Sequence, residues 1–109
     1  MKDIKKVLII RFSSIGDIVL TSPVIRAIKN QRPEVEIHYL TKKYYAPILE
    51  NNPNVDKVYT IRNSLAEVMP ELKAEKYGFI ADLHRNVRSV KVKTQLNTAS
   101  STFDKLNFE

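Results

Sequence analysis

Four consecutive apolar residues, Val7-Leu8-Ile9-Ile10, set the first limit on what this chain can become. An unbroken run suits a strand buried on both faces, whereas a strand with one wet face alternates apolar and polar side chains. The run therefore predicts a central strand over Lys6 to Arg11, covered on both sides.

Short apolar runs then alternate with helix-like stretches, the rhythm of βαβ units and a parallel sheet with helices on both faces. After the first strand, Leu20, Val24, Ala27, Ile28 and Gln31 recur at helical spacing, with Arg26, Lys29 and Asn30 opposite, and the pattern ends before Pro33. Pro23 interrupts it, because a proline inside a helix removes a hydrogen bond and clashes one turn back. Either a kinked helix starts at Asp17, or Ser22 caps a new helix with Pro23 at its first position.

Val35 to Leu40 alternates Val, Ile and Tyr with Glu and His and reads as the second strand; Lys57 to Ile61 reads as the third. Between them Tyr44 to Glu50 makes a short helix closed by the Asn51-Asn52-Pro53-Asn54 turn. Ser64 to Lys76 carries Leu65, Val68, Met69 and Leu72 on one helical face, with Ser64 and Glu67 spaced as a capping box. Tyr77 to Leu83 is the fourth strand.

Arg88 to Leu96 is ambiguous, since Val90-Lys91-Val92-Lys93 alternates with period two. A parallel neighbour to the fourth strand needs a crossover of a dozen or more residues, which favours a helix capped by Asn86. Ser100 to Phe103 then begins a fifth strand, and Asp104 to Glu109 form a loose tail. The fold class is α/β, a Rossmann-like parallel sheet.

At 109 residues the chain is one domain, with 43% hydrophobic content for a modest core. It has no cysteine, so neither a disulfide nor a thiolate metal site can hold it together. The start Met-Lys-Asp-Ile-Lys-Lys lacks the long apolar stretch of a signal peptide, and no window reaches the ~20 apolar residues of a membrane span. A cytoplasmic protein, with at most peripheral membrane contact, is expected. The formal charge of +6 attracts phosphate-bearing partners without choosing among them.

The chemistry gathers where strands meet helices. Arg11-Phe12-Ser13-Ser14-Ile15-Gly16-Asp17 puts a carboxylate where the first strand feeds a helix, the usual place for a site in an α/β protein. Phe12 to Gly16 reads as a loop whose backbone N–H groups can face a bound oxygen, with Gly16 allowing close approach or positive φ. One glycine, with no Gly-x-Gly-x-x-Gly and no Gly-Lys-Ser/Thr, argues against dinucleotide and P-loop readings. By residue type alone, Asp17 at a helix start is more often a cap, and Ser13 and Ser14 serve equally as turn residues or as donors to an anion.

His84 ends the fourth strand, and a lone histidine there is more often a positioning group than an acid or base. Arg62 follows the third strand, either as a bidentate clamp on an anion or as a solvated loop residue. Lys42-Lys43-Tyr44-Tyr45 is either a cationic aromatic cluster for sugar stacking or a helix start with one tyrosine packed beneath. No residue set has metal-ligand spacing.

Residues 11 to 17, with Val24-Ile25-Arg26-Ala27-Ile28, resemble the amino-terminal signature of the heptosyltransferase-like glycosyltransferases of family 9, and the likeness runs from about Lys6 to about Asp104. It implies the amino-terminal, acceptor-binding half of an enzyme built from two Rossmann-like domains (GT-B), with residues 1–109 as that domain and the donor-binding domain absent. It implies Asp17 as catalytic base, with Ser13, Ser14, Gly16, Arg62, His84, Arg85 and Asn86 at the acceptor.

It further implies a nucleotide-sugar donor such as ADP-heptose bound mainly by the absent domain, an anionic glycolipid acceptor of the lipopolysaccharide core, no cofactor, no metal and no nucleic acid. The likeness also extends to Asp82, His84, Arg88 and Ser89. Many relatives carry glycine where this chain has Arg85. The rival reading is a non-catalytic basic module of flavodoxin-like shape that binds phosphate-bearing ligands.

Overall fold

The computed structural model describes residues 4–96 and 100–102. Strands β1 (Lys6–Ile10), β2 (Glu36–Lys42), β3 (Lys57–Ile61), β4 (Phe79–Asp82) and β5 (Ser100–Thr102) form one parallel sheet in the order β3-β2-β1-β4-β5. This is the expected doubly wound α/β arrangement, with the apolar run at its centre. Phe103 and the tail Asp104 to Glu109 lie outside the described residues.

Helices cover both faces and explain why β1 is apolar throughout. Val7 and Ile9 face α1 (Ile15–Val19), α2 (Ser22–Gln31) and α3 (Ala46–Glu50), where Ile18, Val24, Ile25, Ile28 and Leu49 complete a core. Leu8 and Ile10 face α4 (Met69–Glu75) and α5 (Val87–Leu96), packing with Phe12, Met69, Leu72 and Val92.

Two prolines divide what the apolar pattern runs together. Pro23 would strike the carbonyl of Val19, so α1 stops at Val19 and a separate α2 begins. Thr21 is the residue before it, with Ser22 and Pro23 as its first two positions, so Ser22 is not the cap. Leu20, placed by spacing on the apolar stripe, falls in the break and is 72% exposed; Gln31 is also exposed, and Ile25 is fully buried instead. Likewise Pro70 splits the expected helix over Ser64 to Lys76 into a single 3₁₀ turn, Leu65–Glu67, and α4. The Ser64–Glu67 capping box forms as expected.

β2 departs from its alternating pattern. It lies inside the sheet between β1 and β3, so His38 is as fully buried as Tyr39 and Leu40. Its ring survives burial because both nitrogens are engaged, Nδ1 with the Tyr77 hydroxyl at 2.8 Å and Nε2 with Glu36 Oε2 at 2.5 Å. Glu75, at the end of α4, anchors the same amino edge of the sheet. It binds Lys6 Nζ at 2.6 Å and Lys57 Nζ at 3.1 Å and accepts from the Tyr59 hydroxyl.

These partners, the Lys6 hydrogen bond first and Tyr59 next, hold the Glu75 carboxyl down to about 2. A folded value below the unfolded one means that the carboxylate stabilises the fold above its ordinary titration and loses that contribution as pH falls toward about 2. Glu75→Gln is therefore expected to lower stability at neutral pH and to flatten the decline between about pH 4.5 and pH 2. Urea unfolding across that range measures both effects.

Candidate active site

A doubly wound sheet opens a crevice beyond the carboxyl ends of its strands, where the strand order reverses. Here that point lies between β1 and β4, and the two strand ends carry residues 11–17 and 82–89. Beyond β1 the chain runs as a short loop and enters α1 at Ile15, so Gly16 is helical rather than part of the loop. It has no positive φ. A Cβ at Gly16 would meet nothing within 4 Å, which leaves open space beside Asp17.

Asp17 is 49% exposed and lines a cleft of about 260 Å³ with Arg11, Leu20, Thr21 and Leu83. Its Oδ2 accepts from the Ser14 hydroxyl at 3.0 Å and from the Ser14 N–H at 3.4 Å, and pairs with Arg11 Nη2 at 2.8 Å. The cap reading is thus correct as geometry, and the carboxylate is not bare of partners. These contacts all fall on one oxygen, however, and Oδ1 takes part in none of them. The Ser14 hydrogen bonds, then the Arg11 guanidinium, hold the Asp17 carboxyl below its ordinary value, so it is ionised at neutral pH. Ser13 is half-buried in the same loop, and its peptide bond to Ser14 is cis.

The turn after β4 is organised by Asp82, which is fully buried. Its Oδ1 accepts from the N–H groups of His84 at 3.0 Å and Arg85 at 2.7 Å, and its Oδ2 binds Ser89 Oγ at 2.8 Å and Lys93 Nζ at 2.9 Å. Burial pushes the carboxyl up, but the Arg85 N–H, Lys93 and Ser89 more than offset it and hold Asp82 below its usual range. The expected cap of α5 is present: Asn86 Oδ1 accepts from Ser89 N–H, and Ser89 Oγ accepts from Asn86 N–H, both at 2.9 Å.

Besides the Leu83 N–H bond to the Ile10 carbonyl at 3.0 Å, two hydrogen bonds that use side chains tie the β1 and β4 ends together. Arg11 Nη1 donates to the Leu83 carbonyl at 2.8 Å, and Phe12 N–H donates to His84 Nδ1 at 3.3 Å. The second makes His84 a neutral ring with its proton on Nε2. Burial, then the Arg11 charge, lowers the His84 pKa in the same sense. Arg88 stacks on the Phe12 ring at 5.3 Å.

The structure thus brings Ser13, Ser14, Gly16 and Asp17 together with His84, Arg85 and Asn86 around the reversal point. Asn86 lines a separate, larger cleft of about 800 Å³ between the Leu65–Glu67 turn and α5, shared with Arg88 and Lys91. Arg62 stands apart: it is exposed beyond β3, two strands from β1, and its N–H donates to Glu67 Oε1. Of the readings of Lys42 to Tyr45, the packed tyrosine holds, because Tyr45 sits against the core while Tyr44 is 83% exposed.

Arg11, Asp82 and Lys93 carry structural roles in this site that residue spacing did not assign. Arg11 opens the signature stretch itself, and Lys93 lies in the helix that the crossover requirement favours over the period-two pattern. No helix among the described residues is long and apolar enough to cross a membrane.

Comparison with known proteins agrees with this architecture. No family model matches the chain. Lipopolysaccharide heptosyltransferase 1 of Campylobacter coli is 33% identical over 107 residues, covering 92% of this chain and 31% of that protein. Lipopolysaccharide heptosyltransferase 3 of Escherichia coli is 33% identical over 78 residues, 62% of this chain and 23% of that protein.

Among solved structures, a glycosyl transferase family 9 protein from Veillonella parvula superimposes with a TM-score of 0.81 at 22% identity, covering 94% of this chain and 33% of that one. An E. coli heptosyltransferase solved with ADP gives 0.76 at 21% identity, covering 95% and 36%. The resemblance read from residues 11 to 17 is therefore shown: the chain is similar to heptosyltransferases over nearly its whole length and has the family 9 fold. It spans 31% and 23% of the length of these two curated relatives.

Arg85 has φ of 59°, in the left-handed region that favours glycine. Arg85→Gly is expected to leave stability unchanged or raise it by up to about 1 kcal/mol in urea unfolding. A loss of more than about 1 kcal/mol would mean that the side chain outweighs the backbone relief.

Proposed function

We propose that this chain is the acceptor-binding part of an inverting glycosyltransferase that moves heptose, or a related sugar, from a nucleoside-diphosphate sugar onto an anionic glycolipid of the lipopolysaccharide core. One observation supports this reading above the others: an ionised carboxylate, one of whose oxygens has no partner among the described residues, sits on a cleft at the carboxyl end of the central strand. The kinship with heptosyltransferases supplies the reaction class.

In this mechanism Asp17 Oδ1 takes the proton of the acceptor hydroxyl as its oxygen attacks the anomeric carbon. The bond from that carbon to the diphosphate oxygen breaks, and the nucleoside diphosphate leaves with the electron pair from the opposite face. Ser13 Oγ and the His84 Nε2–H serve as donors to the acceptor, and Arg85 adds positive charge along the crevice. The donor is held chiefly by a second domain of the kind that the longer relatives have room for. The setting is cytoplasmic, at the inner face of the membrane that carries the acceptor.

The test is sugar transfer by the product of the full reading frame that carries this chain. Asp17→Ala is expected to lower kcat by at least about 10²-fold while the folded structure persists by circular dichroism. A loss below about tenfold removes the general-base role. Binding of a phosphorylated glycolipid that falls steeply with salt and ignores Asp17, with no transfer, would instead favour the basic-module reading.

A further inference from the structure

We propose that Arg11 is the positioning residue for Asp17, a strut that pins one carboxylate oxygen between β4 and α1 and leaves the other facing the acceptor hydroxyl. The proposal rests on the reading of Asp17 as the base.

The geometry is that of a two-ended brace. One end of the guanidinium, Nη1, holds the Leu83 carbonyl at the tip of β4; the other, Nη2, holds Asp17 Oδ2 on α1, both at 2.8 Å. Only a planar fork with separate donors spans two such acceptors, and a lysine ammonium offers one compact charge at one place. The arrangement has a cost, since Arg11 Nε is buried without a hydrogen-bond partner. The two terminal contacts fix the plane of the group even though this donor is left unsatisfied.

Among the described residues, Asp17 is otherwise held only from the start of its own helix, by Ser14. Five residues of α1 cannot by themselves fix the carboxylate relative to the sheet, whereas Arg11 ties it to both β1 and β4. The walls around it are Leu20, Thr21 and Leu83, and among the described residues Arg11 is the charged group acting on Asp17. His84, the titratable group of the adjoining turn, faces Arg11, Asp82, Arg88 and Lys42. A cation at 2.8 Å weakens Asp17 as a base. In return the carboxylate is aligned and ionised before substrate arrives.

The experiment has two arms. In this chain, the carboxyl ¹³C resonance of Asp17 is titrated in the wild type, Arg11→Met and Arg11→Lys. Asp17 is expected to titrate at higher pH in Arg11→Met and close to wild type in Arg11→Lys, which keeps the charge.

In the product of the full reading frame, both variants are expected to lower kcat by about 10- to 100-fold, with the acceptor KM within about threefold. The acid limb of the pH–rate profile moves to higher pH in Arg11→Met alone, because a stronger base is protonated sooner as pH falls. Arg11→Met combined with Asp17→Ala should be no slower than Asp17→Ala alone.

An unchanged Asp17 titration in Arg11→Met overturns the proposal. So does an acceptor KM raised tenfold or more at constant kcat, which would make Arg11 an acceptor ligand, and so do losses that multiply in the double variant. If Arg11→Met does not fold, full activity in Arg11→Lys overturns it equally. Should the wild type transfer nothing, the reading of the reaction fails, while the titration still decides whether Arg11 governs Asp17.

Discussion

Burial of β1 on both faces is the constraint from which the remaining architecture follows. A strand with Val7 and Ile9 on one side and Leu8 and Ile10 on the other needs a helical layer over each face. It also needs hydrogen-bonded neighbours at both edges, which β2 and β4 supply. Because both pairings are parallel, each neighbour must be reached by a crossover, and the crossovers are the helices. The strand order then fixes a reversal point at the carboxyl end of β1, and the polar stretch after Ile10 has nowhere else to go.

The site is held by polar groups that belong to the scaffold as much as to chemistry. Asp82 spends all of its accepting capacity on the turn that presents His84 and on the start of α5. His84 in turn receives the Phe12 N–H, so the β4 turn and the loop before Asp17 share a register. A carboxylate on a five-residue helix would otherwise be free to sweep an arc. Cross-strand hydrogen bonds, rather than helix length, give it a direction.

The strands and the residues that follow them were legible because apolar runs carry that information directly. What escaped the sequence had specific causes. Pro23 and Pro70 break helices whose apolar spacing continues across them, so Leu20 seemed buried and is not. His38 seemed to mark a wet face, but its partners Tyr77 and Glu36 allow a polar ring in the interior. The Arg11 strut depends on a backbone carbonyl, that of Leu83, and a carbonyl leaves no trace in residue identity. Arg62 follows a strand end as predicted, yet β3 is an edge strand, and only the folded order reveals how far that places it from Asp17.

The knot of charges around Glu75 lies at the amino edge of the sheet, on the side away from Asp17. The fastening of the fold and the cleft at Asp17 are thus at opposite poles of the same strands. Replacement of loop residues at one pole leaves the ionic clasp at the other untouched. A lineage with this layout can vary the residues around the cleft without loosening the body that displays them.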